Sequence, residues 1–323
     1  MSDTVPSATL RAQSAQGLPV APGNDRLFRI LCFSAAMLLM ATLLGLILSL
    51  AWGGWPALSH FGFSFFTSST WDPVSDTYGA AGPIVGTLVT AFLALVIALP
   101  LAIGIAIFLV EICPAVIAKW LGYAIELLAG IPSIVYGMWG LTVLAPWFSQ
   151  NVQMPIMMNV TDGSIWQKIF DGVPNGANIF TASLILSVMI LPYMAAIFRE
   201  LLLSVPTHMR EAAYGLGCTV HEVVASIMLP YIKRSAIGAV MLGLGRALGE
   251  TMAVTFIIGN SHNFPHSLFD SGSTISSTIA NEFTEATGDM HISALIALGF
   301  VLFLITFSTI AAARLMLGRD KFK

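Results

Sequence analysis

Charged residues are scarce in this 323-residue sequence, in which Asp, Glu, Lys and Arg together make up 10% and hydrophobic residues 56%. A soluble globular domain carries about 25% charged residues. Even a chain of this length needs a polar shell around its core in water. The composition therefore excludes an ordinary water-soluble fold.

Cysteines and nucleotide-binding motifs are also lacking. Cys32, Cys113 and Cys218 are isolated and show no metal-ligand spacing, so that we expect neither a disulfide nor a metal role for them. His262 and His266 are four residues apart, but Pro265 between them makes helical ligand geometry doubtful. The sequence has no G-x-x-x-x-G-K-[ST] phosphate loop. We expect no catalytic residue, no metal, no cofactor bound by this chain and no nucleic-acid partner.

Long apolar runs are what the sequence has in abundance, and six of them exceed the roughly 18 residues that a membrane-spanning helix needs. We predict an all-α polytopic protein of the lipid bilayer with six transmembrane helices at about 28–52, 81–110, 120–147, 178–203, 235–259 and 291–317. Residues 1–27 are predicted to form a flexible tail, 28–80 the first helix and an outer loop, 81–317 a transmembrane domain of five helices that includes the connection 204–234, and 318–323 a short tail. The run Phe28 to Trp52 is too long for a signal-peptide core and should stay as an anchor.

The basic residues are distributed asymmetrically between the predicted connections. Arg246 lies inside a span, and the loops on one side hold Lys168 as their single basic residue beside eight acids. The other twelve basic residues fall on the opposite side: Arg11, Arg26, Arg29, Lys119, Arg199, Arg210, Lys233, Arg234, Arg314, Arg319, Lys321 and Lys323. By the positive-inside rule, both termini are predicted to be cytoplasmic in a bacterial plasma membrane.

The second span carries a small residue at every fourth position. The stripe is Gly82, Gly86, Thr90, Ala94, Ala98, Ala102 and Ala106. Small residues let helix backbones approach closely in lipid. The stripe indicates either helix packing within this chain or, in part, contact with a partner membrane protein. Pro100 and Pro132 are expected to kink the second and third spans.

The connection 204–234 is too ordered in its sequence to be a passive loop. Pro206 and Thr207 favour the start of a short helix, and the glycines that follow can end it with positive φ. Thr219 to Glu222 fits a capping box, which starts a second helix that we expect to stop or kink near Pro230.

The same connection resembles the EAA motif of ABC importer permeases. Glu211-Ala212-Ala213, Gly217 and the later Ile227, Leu229 and Pro230 match it over about twenty residues. The resemblance implies the type I ABC importer permease fold, with a short helix that docks in a groove of a separate ATPase. By position, Glu211, Ala212, Ala213 and Gly217 would be the ATPase-coupling residues.

A charged pair, Arg246 and Glu250, is predicted inside the fifth span, four residues apart and thus on one helical face. An arginine near the bilayer centre costs at least about 2.5–3.5 kcal/mol and is usually functional. The pair either neutralises itself and locks helices together, or lines a transport path. In the second case Arg246 would offer forked donors to an oxyanion.

Two sequence segments resemble those of the phosphate-specific permeases. They are Ala129 to Gly137 in the third span and Gly245 to Ala253 in the fifth. The resemblance covers roughly 80–317, is strongest to the PstC type and does not exclude the PstA type. It implies ATP-driven phosphate import, with Arg246 and Glu250 in the substrate path. The implied partners are a PstA-like permease, two PstB-like ATPase subunits that use ATP and Mg, and a PstS-like phosphate-binding protein outside.

Other functions remain open at this point. A permease for molybdate or sulfate would share the fold, and an anion channel or secondary transporter would work without an ATPase. An acceptor beside the anion, Glu250, favours a protonated oxyanion such as hydrogenphosphate over sulfate. Glu126 in the third span could line the path, pair with a basic residue or reach the interface.

Overall fold

The computed structural model describes residues 22–160 and 163–319, with side chains described over 26–160 and 163–315. Most of the predicted tail 1–27, the end of the predicted tail 318–323, and Asp162 lie outside the described residues. The chain divides into two compact units, residues 1–50 and residues 51–323. In the first unit, the described part is one apolar, largely exposed helix.

Fifteen helices and one small hairpin make up the described chain. The helices are α1 Pro22–Phe61, α2 Ser64–Thr67, α3 Ala81–Ile107, α4 Ala115–Ala129, α5 Ser133–Trp139, α6 Ala145–Phe148, α7 Met154–Asn159, α8 Ile165–Phe170, α9 Ile179–Leu203, α10 Thr207–Gly215, α11 Val220–Val223, α12 Leu229–Leu248, α13 Met252–Thr255, α14 Ile275–Glu282 and α15 Asp289–Arg319. The antiparallel hairpin pairs β1 Trp71–Asp72 with β2 Thr77–Tyr78. Short π-helical segments continue α3 at Phe108–Ile112, interrupt the run after α5 at Gly140–Leu144 and Ser149–Gln153, and join α11 to α12 at Val224–Met228.

The helix lengths agree with the predicted membrane architecture. Within the described residues, five continuous helices are long and apolar enough to cross a membrane: Arg26–Phe61, Ala81–Ile112, Ile179–Leu203, Val220–Leu248 and Asp289–Leu315. A sixth span forms if the bent pair Ala115–Ala129 and Ser133–Asn159 counts as one. With the bent pair counted as one span, the described residues contain six spans, and the predicted all-α fold with six spans is confirmed.

The third span differs from the predicted kinked helix at 120–147. It is two helical segments that meet at 85°. The break falls at Gly130, Ile131 and Pro132, where proline lacks the N–H that would continue the helix and pushes the preceding residue out of helical geometry. The run after Pro132 also extends further than expected, to Asn159.

The fifth span was predicted at 235–259, and this boundary is wrong at both ends. The helix runs from Val220 to Leu248 without a stop at Pro230, because that proline sits in the first turn of α12 after a π-helical segment. Gly249 ends the helix, and the four-residue helix α13 follows.

The small-residue stripe of the second span lies inside this chain. All seven stripe residues are buried, and Ala94, Ala98, Ala102 and Ala106 have no exposed surface. Helix α9 is the principal neighbour of α3. The interpretation as internal helix packing is therefore confirmed, and contact of this stripe with a partner permease is excluded.

The two ends of the helix bundle in the second unit differ in charge. One end, which we name the basic end, carries Lys119, Arg199, Arg210 and Lys233. The other, the acidic end, carries Asp72, Asp76, Asp270 and Glu282 around the β1–β2 hairpin and the segment 259–291. The grouping agrees with the predicted sorting of charges, while the orientation of the two ends across the membrane stays a prediction.

Candidate functional site

Arg246 lies in the last turn of α12 and has an exposed side chain. Its guanidinium carbon lies 5.3 Å from the centroid of the Tyr193 ring, which is a cation–π geometry. Among the described residues, no carboxylate oxygen lies within 4.0 Å of its nitrogens. The hypothesis of a self-neutralised Arg–Glu pair inside a helix is therefore wrong.

Glu250 follows the helix instead of extending it. Its Oε1 accepts a hydrogen bond of 3.3 Å from the Ala253 backbone N–H in the first turn of α13. The expected spacing of one helical turn from Arg246 is lost because α12 ends at Leu248. Glu250 consequently lies in the break that follows Arg246 and does not pair with it.

The depth of Arg246 in the bundle follows from its contact with α9. Tyr193 lies about 21 Å from the acidic-end terminus of α9 and about 15 Å from its basic-end terminus, at 1.5 Å per residue. A hydrocarbon core is about 30 Å thick. The break after α12 therefore lies near the middle of the membrane, where a non-helical backbone is tolerated only when protein covers it or when it lines a cavity.

The broken third span packs against the break in the fifth. A Cβ atom on Gly137 of α5 would lie 3.0 Å from the Ala253 Cα and 3.2 Å from the Ala253 carbonyl oxygen, so that a larger residue would push the two segments apart by a few tenths of an ångström. The Tyr136 hydroxyl donates a 3.1 Å hydrogen bond to the Leu128 carbonyl on the other side of the Pro132 break. The two sequence segments that carry the resemblance to phosphate permeases are thus in direct contact.

The connection 204–234, which we name the coupling connection after its expected role, has the predicted local structure. Helix α10 begins after Pro206, Gly217 has φ of +87°, and Thr219 and Glu222 form the expected capping box. Glu211 and Ala212 are exposed at its surface. Ala213 is 4% exposed and packs in this chain's own core, so that it seats α10 instead of facing outward.

An ion pair that the sequence analysis missed ties α10 to the end of the second span. Arg210 Nη2 lies 2.5 Å from Oε1 of Glu111, and the Tyr214 hydroxyl donates a 2.8 Å hydrogen bond to Glu111 Oε2. Burial and the Glu111 carboxylate both raise the pKa of Tyr214, so that the phenol keeps its proton. The Glu111 side chain is 3% exposed. We name Glu111, Arg210 and Tyr214 the clamp. In the sequence, the one sign of it is that Glu111 is an acid at the end of a span where most charged residues are basic.

Gly217 offers a local test of the connection. Added Cβ atoms at Gly215 and Gly217 would both meet open space, but only Gly217 has positive φ. We expect Gly217→Ala to destabilise the turn by about 1–2 kcal/mol, because a Cβ strains the left-handed conformation. Hydrogen exchange of the 207–219 amides in the purified protein measures the effect.

The matched control for this prediction is Gly215→Ala. Gly215 lies within α10, where alanine is favoured over glycine by about 0.5–1 kcal/mol. Exchange in 207–219 should therefore stay the same or slow. Equal acceleration by the two variants would contradict the role of the Gly217 turn.

A second cluster that the sequence analysis missed lies at the acidic end. The Glu282 carboxylate contacts His262 Nε2 at 2.8 Å and His291 Nε2 at 2.8 Å, and it accepts a 2.6 Å hydrogen bond from Trp71 Nε1. These contacts join the hairpin, the segment after the fifth span, α14 and α15. We name these four residues the Glu282 cluster.

The Glu282 cluster should make stability depend on pH. Burial raises the pKa of Glu282, but the hydrogen bonds from His262, Trp71 and His291 together outweigh it, and the net pKa lies below the ordinary 4.5. The stabilisation is thus complete above 4.5 and is lost as pH falls through the lower folded value. At pH 7, we expect Glu282→Gln to cost about 1–2 kcal/mol and to lower the thermal midpoint by about 2–4 °C. The difference from wild type should shrink below about pH 4.

Glu285→Gln is the matched control, because Glu285 is an exposed acid on the same segment. It should leave the thermal midpoint unchanged in detergent-solubilised protein at both pH values. A Glu282→Gln midpoint equal to wild type at pH 7 would contradict the structural role of the cluster.

Two further sequence hypotheses are placed by the structure. Glu126 is exposed on α4 and has no ion pair among the described residues. His262 contacts Glu282, and His266 is exposed in the same segment. In the part of the chain that the structure describes, no group of three or more His, Cys, Asp or Glu side chains could hold a metal ion.

The family model described as "Binding-protein-dependent transport system inner membrane component" matches residues 80–319. The phosphate transport system permease protein PstC of Mesorhizobium japonicum is 50% identical over 297 residues, 92% of this chain and 90% of the relative. PstC of Haemophilus influenzae is 46% identical over 295 residues, 91% of this chain and 93% of the relative.

A solved structure shares the fold. A chain in the crystal structure of a bacterial alginate ABC transporter, in complex with an alginate pentasaccharide-bound periplasmic protein, superposes with a TM-score of 0.59. The identity is 15%, and the alignment covers 94% of this chain and 99% of that chain. At this identity the likeness shows the fold alone.

The family match and the identities to PstC proteins confirm the resemblance that the EAA motif and the two sequence segments indicated. The chain belongs to the family of binding-protein-dependent transport system inner membrane components, the permease subunits of ABC importers, among the PstC proteins.

Proposed function

We propose that this chain is a permease subunit that carries inorganic phosphate inward across the bacterial plasma membrane in an ATP-driven importer. The names of the PstC relatives indicate phosphate as cargo. The observation that carries the proposal is an arginine near mid-membrane, exposed in the last turn of α12 just before the break, with no acidic partner among the described residues.

The chemistry of Arg246 suits a phosphate oxyanion. A guanidinium offers paired N–H donors that match two oxygens of one anion. Because the charge of Arg246 is not neutralised by Glu250, it stays available to a passing anion. Glu250 Oε1 is used by α13, and its other oxygen could accept the proton of hydrogenphosphate. Fully ionised sulfate has no proton to donate there.

Exposed apolar side chains in the coupling connection support the docking of a separate ATPase subunit. At the basic end, Leu216 is 86% exposed between α10 and α11, and Met209 and Val220 are also exposed. Large apolar side chains in a connection outside the spans are covered at little cost when a partner docks there. In the proposal, Glu211, Ala212 and Leu216 meet the ATPase, Ala213 seats α10, and Gly217 sets the turn.

The assembly follows from the family. ABC importer permeases act with ATPase subunits and a binding protein, and we propose a PstA-like permease, two PstB-like ATPases and a PstS-like phosphate-binding protein as the partners of this chain. ATP and Mg are then used by the ATPase chains. The basic end and both termini would face the cytoplasm by the positive-inside rule. The binding protein would deliver phosphate at the acidic end, whose carboxylates repel a free anion.

The proposal is tested with the importer reconstituted in vesicles, with ATP enclosed and binding protein outside. Radiolabelled phosphate uptake is measured alone and with excess sulfate or molybdate. We expect uptake that needs ATP and resists both competitors. Equal competition by molybdate or sulfate would favour the other oxyanion permeases, and uptake by this chain alone without ATP would favour a secondary transporter.

A further inference from the structure

A groove of about 660 Å³ runs along one face of the bundle between α9, α12 and α15. Its walls are Ile197 and Leu201 from α9, Ser235, Gly238 and Leu242 from α12, and Ile310 from α15. Most of the lining is apolar, and the Ser235 and Thr306 side chains supply hydroxyl groups. The coupling machinery described above does not use this cavity.

The groove begins beside Arg246. Gly245 and Leu242 of α12 line it, and Arg246 follows the first directly and lies one turn beyond the second. Tyr193, which lies under the Arg246 guanidinium, is one turn before Ile197 on α9. From Arg246 to Ser235 the groove follows α12 for about 16 Å toward the basic end.

A second arginine, Arg314, lines the groove where it reaches the basic end. Its side chain is exposed, and no carboxylate oxygen among the described residues lies within 4.0 Å of it. Arg314 thus lines the groove at the basic end, and Arg246 lies beside Gly245 at the other end, each without a carboxylate partner among the described residues. The lining between the two arginines is mostly apolar, with the Ser235 and Thr306 hydroxyl groups as uncharged donors.

Two glycines keep the groove open. A Cβ atom on Gly238 would meet nothing within 4 Å, and one on Gly245 would meet only Ile310, at 3.9 Å. Glycine weakens a helix interior, and packing within this chain does not require it at either position. The missing side chains instead widen the groove, which leaves space for a ligand.

We propose that Arg314 is a second oxyanion site, at which the transported anion pauses after Arg246 and before its release at the basic end. This inference rests on the proposed transport function. An anion leaving Arg246 would otherwise cross an apolar groove without a counter-charge, and the Arg314 guanidinium supplies one where water becomes available. Because water and salt screen the charge of an exposed arginine, this site would bind the anion weakly enough to release it.

The test uses the complete importer in liposomes, with ATP enclosed, phosphate-loaded binding protein outside, and radiolabelled phosphate uptake as the measurement. We expect Arg314→Gln to lower the maximal uptake rate about three- to tenfold, the effect of losing one charge-assisted contact that water partly screens. The binding-protein concentration at half-maximal rate should not change. Arg314→Lys should keep more than half of the rate, because it keeps the charge.

The matched control is Lys233→Gln. Lys233 is an exposed cation at the same end, but it lines a separate groove between α3, α9 and α12. A general need for positive charge at this end would slow Lys233→Gln as much as Arg314→Gln, and that result would overturn the proposal. Arg314→Gln uptake equal to wild type would overturn it as well.

A lipid phosphate has the same chemistry as the cargo, and a second arm separates the two. The rates are compared in phosphatidylcholine liposomes with and without added phosphatidylglycerol. An effect of Arg314→Gln that is equal in both supports the transport site, and an effect present only with the anionic lipid overturns it in favour of a headgroup contact. If the wild-type importer carries another oxyanion, the uptake rate of Arg314→Gln relative to wild type is measured with that anion instead. The proposal of phosphate as cargo and the proposal of the Arg314 site can then fail separately.

Discussion

Replacing Arg246 with Gln is expected to lower ATP-dependent phosphate uptake about a hundredfold or more. A bidentate guanidinium contact supplies two charge-assisted hydrogen bonds, and the loss of about 3 kcal/mol corresponds to this factor. The low dielectric near mid-membrane strengthens the dependence on charge. Uptake of radiolabelled phosphate into vesicles with the reconstituted importer is the measurement.

The Arg246→Gln chain must still insert and assemble with the other subunits, so that a loss of uptake reports on the substrate site. Arg246 is exposed and pairs with no carboxylate among the described residues, so that its removal leaves no buried acid without a partner. We therefore expect normal membrane insertion and normal co-purification of the ATPase. Arg246→Lys should recover part of the rate, because it retains a charge but not the forked donors. Wild-type uptake by Arg246→Gln would refute the substrate site.

Replacing Glu111 with Gln is expected to uncouple ATP hydrolysis from transport, with phosphate uptake reduced about tenfold or more. The clamp holds α10 to the end of the second span through a carboxylate that is 3% exposed. A buried pair that loses one partner costs about 3–5 kcal/mol when fully buried. Arg210 is 22% exposed, so that the lower part of this range applies. Uptake and ATP hydrolysis are measured together in the same vesicles.

The control for the clamp is Glu200→Gln, which removes another acid at the same end. Glu200 pairs with Arg199 at 3.1 Å, but its side chain is 69% exposed. Exposed pairs contribute about 0–1 kcal/mol, so uptake should change less than about twofold. An uptake-to-hydrolysis ratio in Glu111→Gln that equals the ratio in Glu200→Gln would refute the role of the clamp in coupling.

Local features of the chain could be predicted from its sequence. The short helix after Pro206, the positive φ of Gly217 and the capping box at Thr219 are each set by residues within one or two turns. The burial of the stripe from Gly82 to Ala106 also follows from a local pattern, since small residues every four positions permit close helix packing.

The broken spans could not be predicted in the same way. The apolar run resumes at Met252 after Gly249, Glu250 and Thr251, and a helix of 235–259 is consistent with it. Gly249 ends α12, and tertiary contacts then hold α13, which packs against α5 and donates a backbone hydrogen bond to Glu250. Pro132 predicted a kink, but the angle of 85° depends on neighbours that the sequence does not reveal.

Long-range polar contacts were also outside the reach of the sequence. Glu111 and Arg210 are almost a hundred residues apart, and Trp71 lies far from Glu282 along the chain. No periodicity connects such residues. The candidate site was found in part because two short segments resemble known permeases, and their contact through Gly137 and Ala253 emerged only from the fold.

The unbroken helix from Val220 to Leu248 has a mechanical consequence. It joins the turn at Gly217 directly to Arg246, over about 39 Å of hydrogen-bonded backbone. A rod of this length magnifies small rotations: a tilt of about 5° about its loop end would carry the guanidinium about 3 Å sideways. That displacement is as large as a hydrogen bond is long, and so a slight push on the surface connection would be enough to release an anion held there.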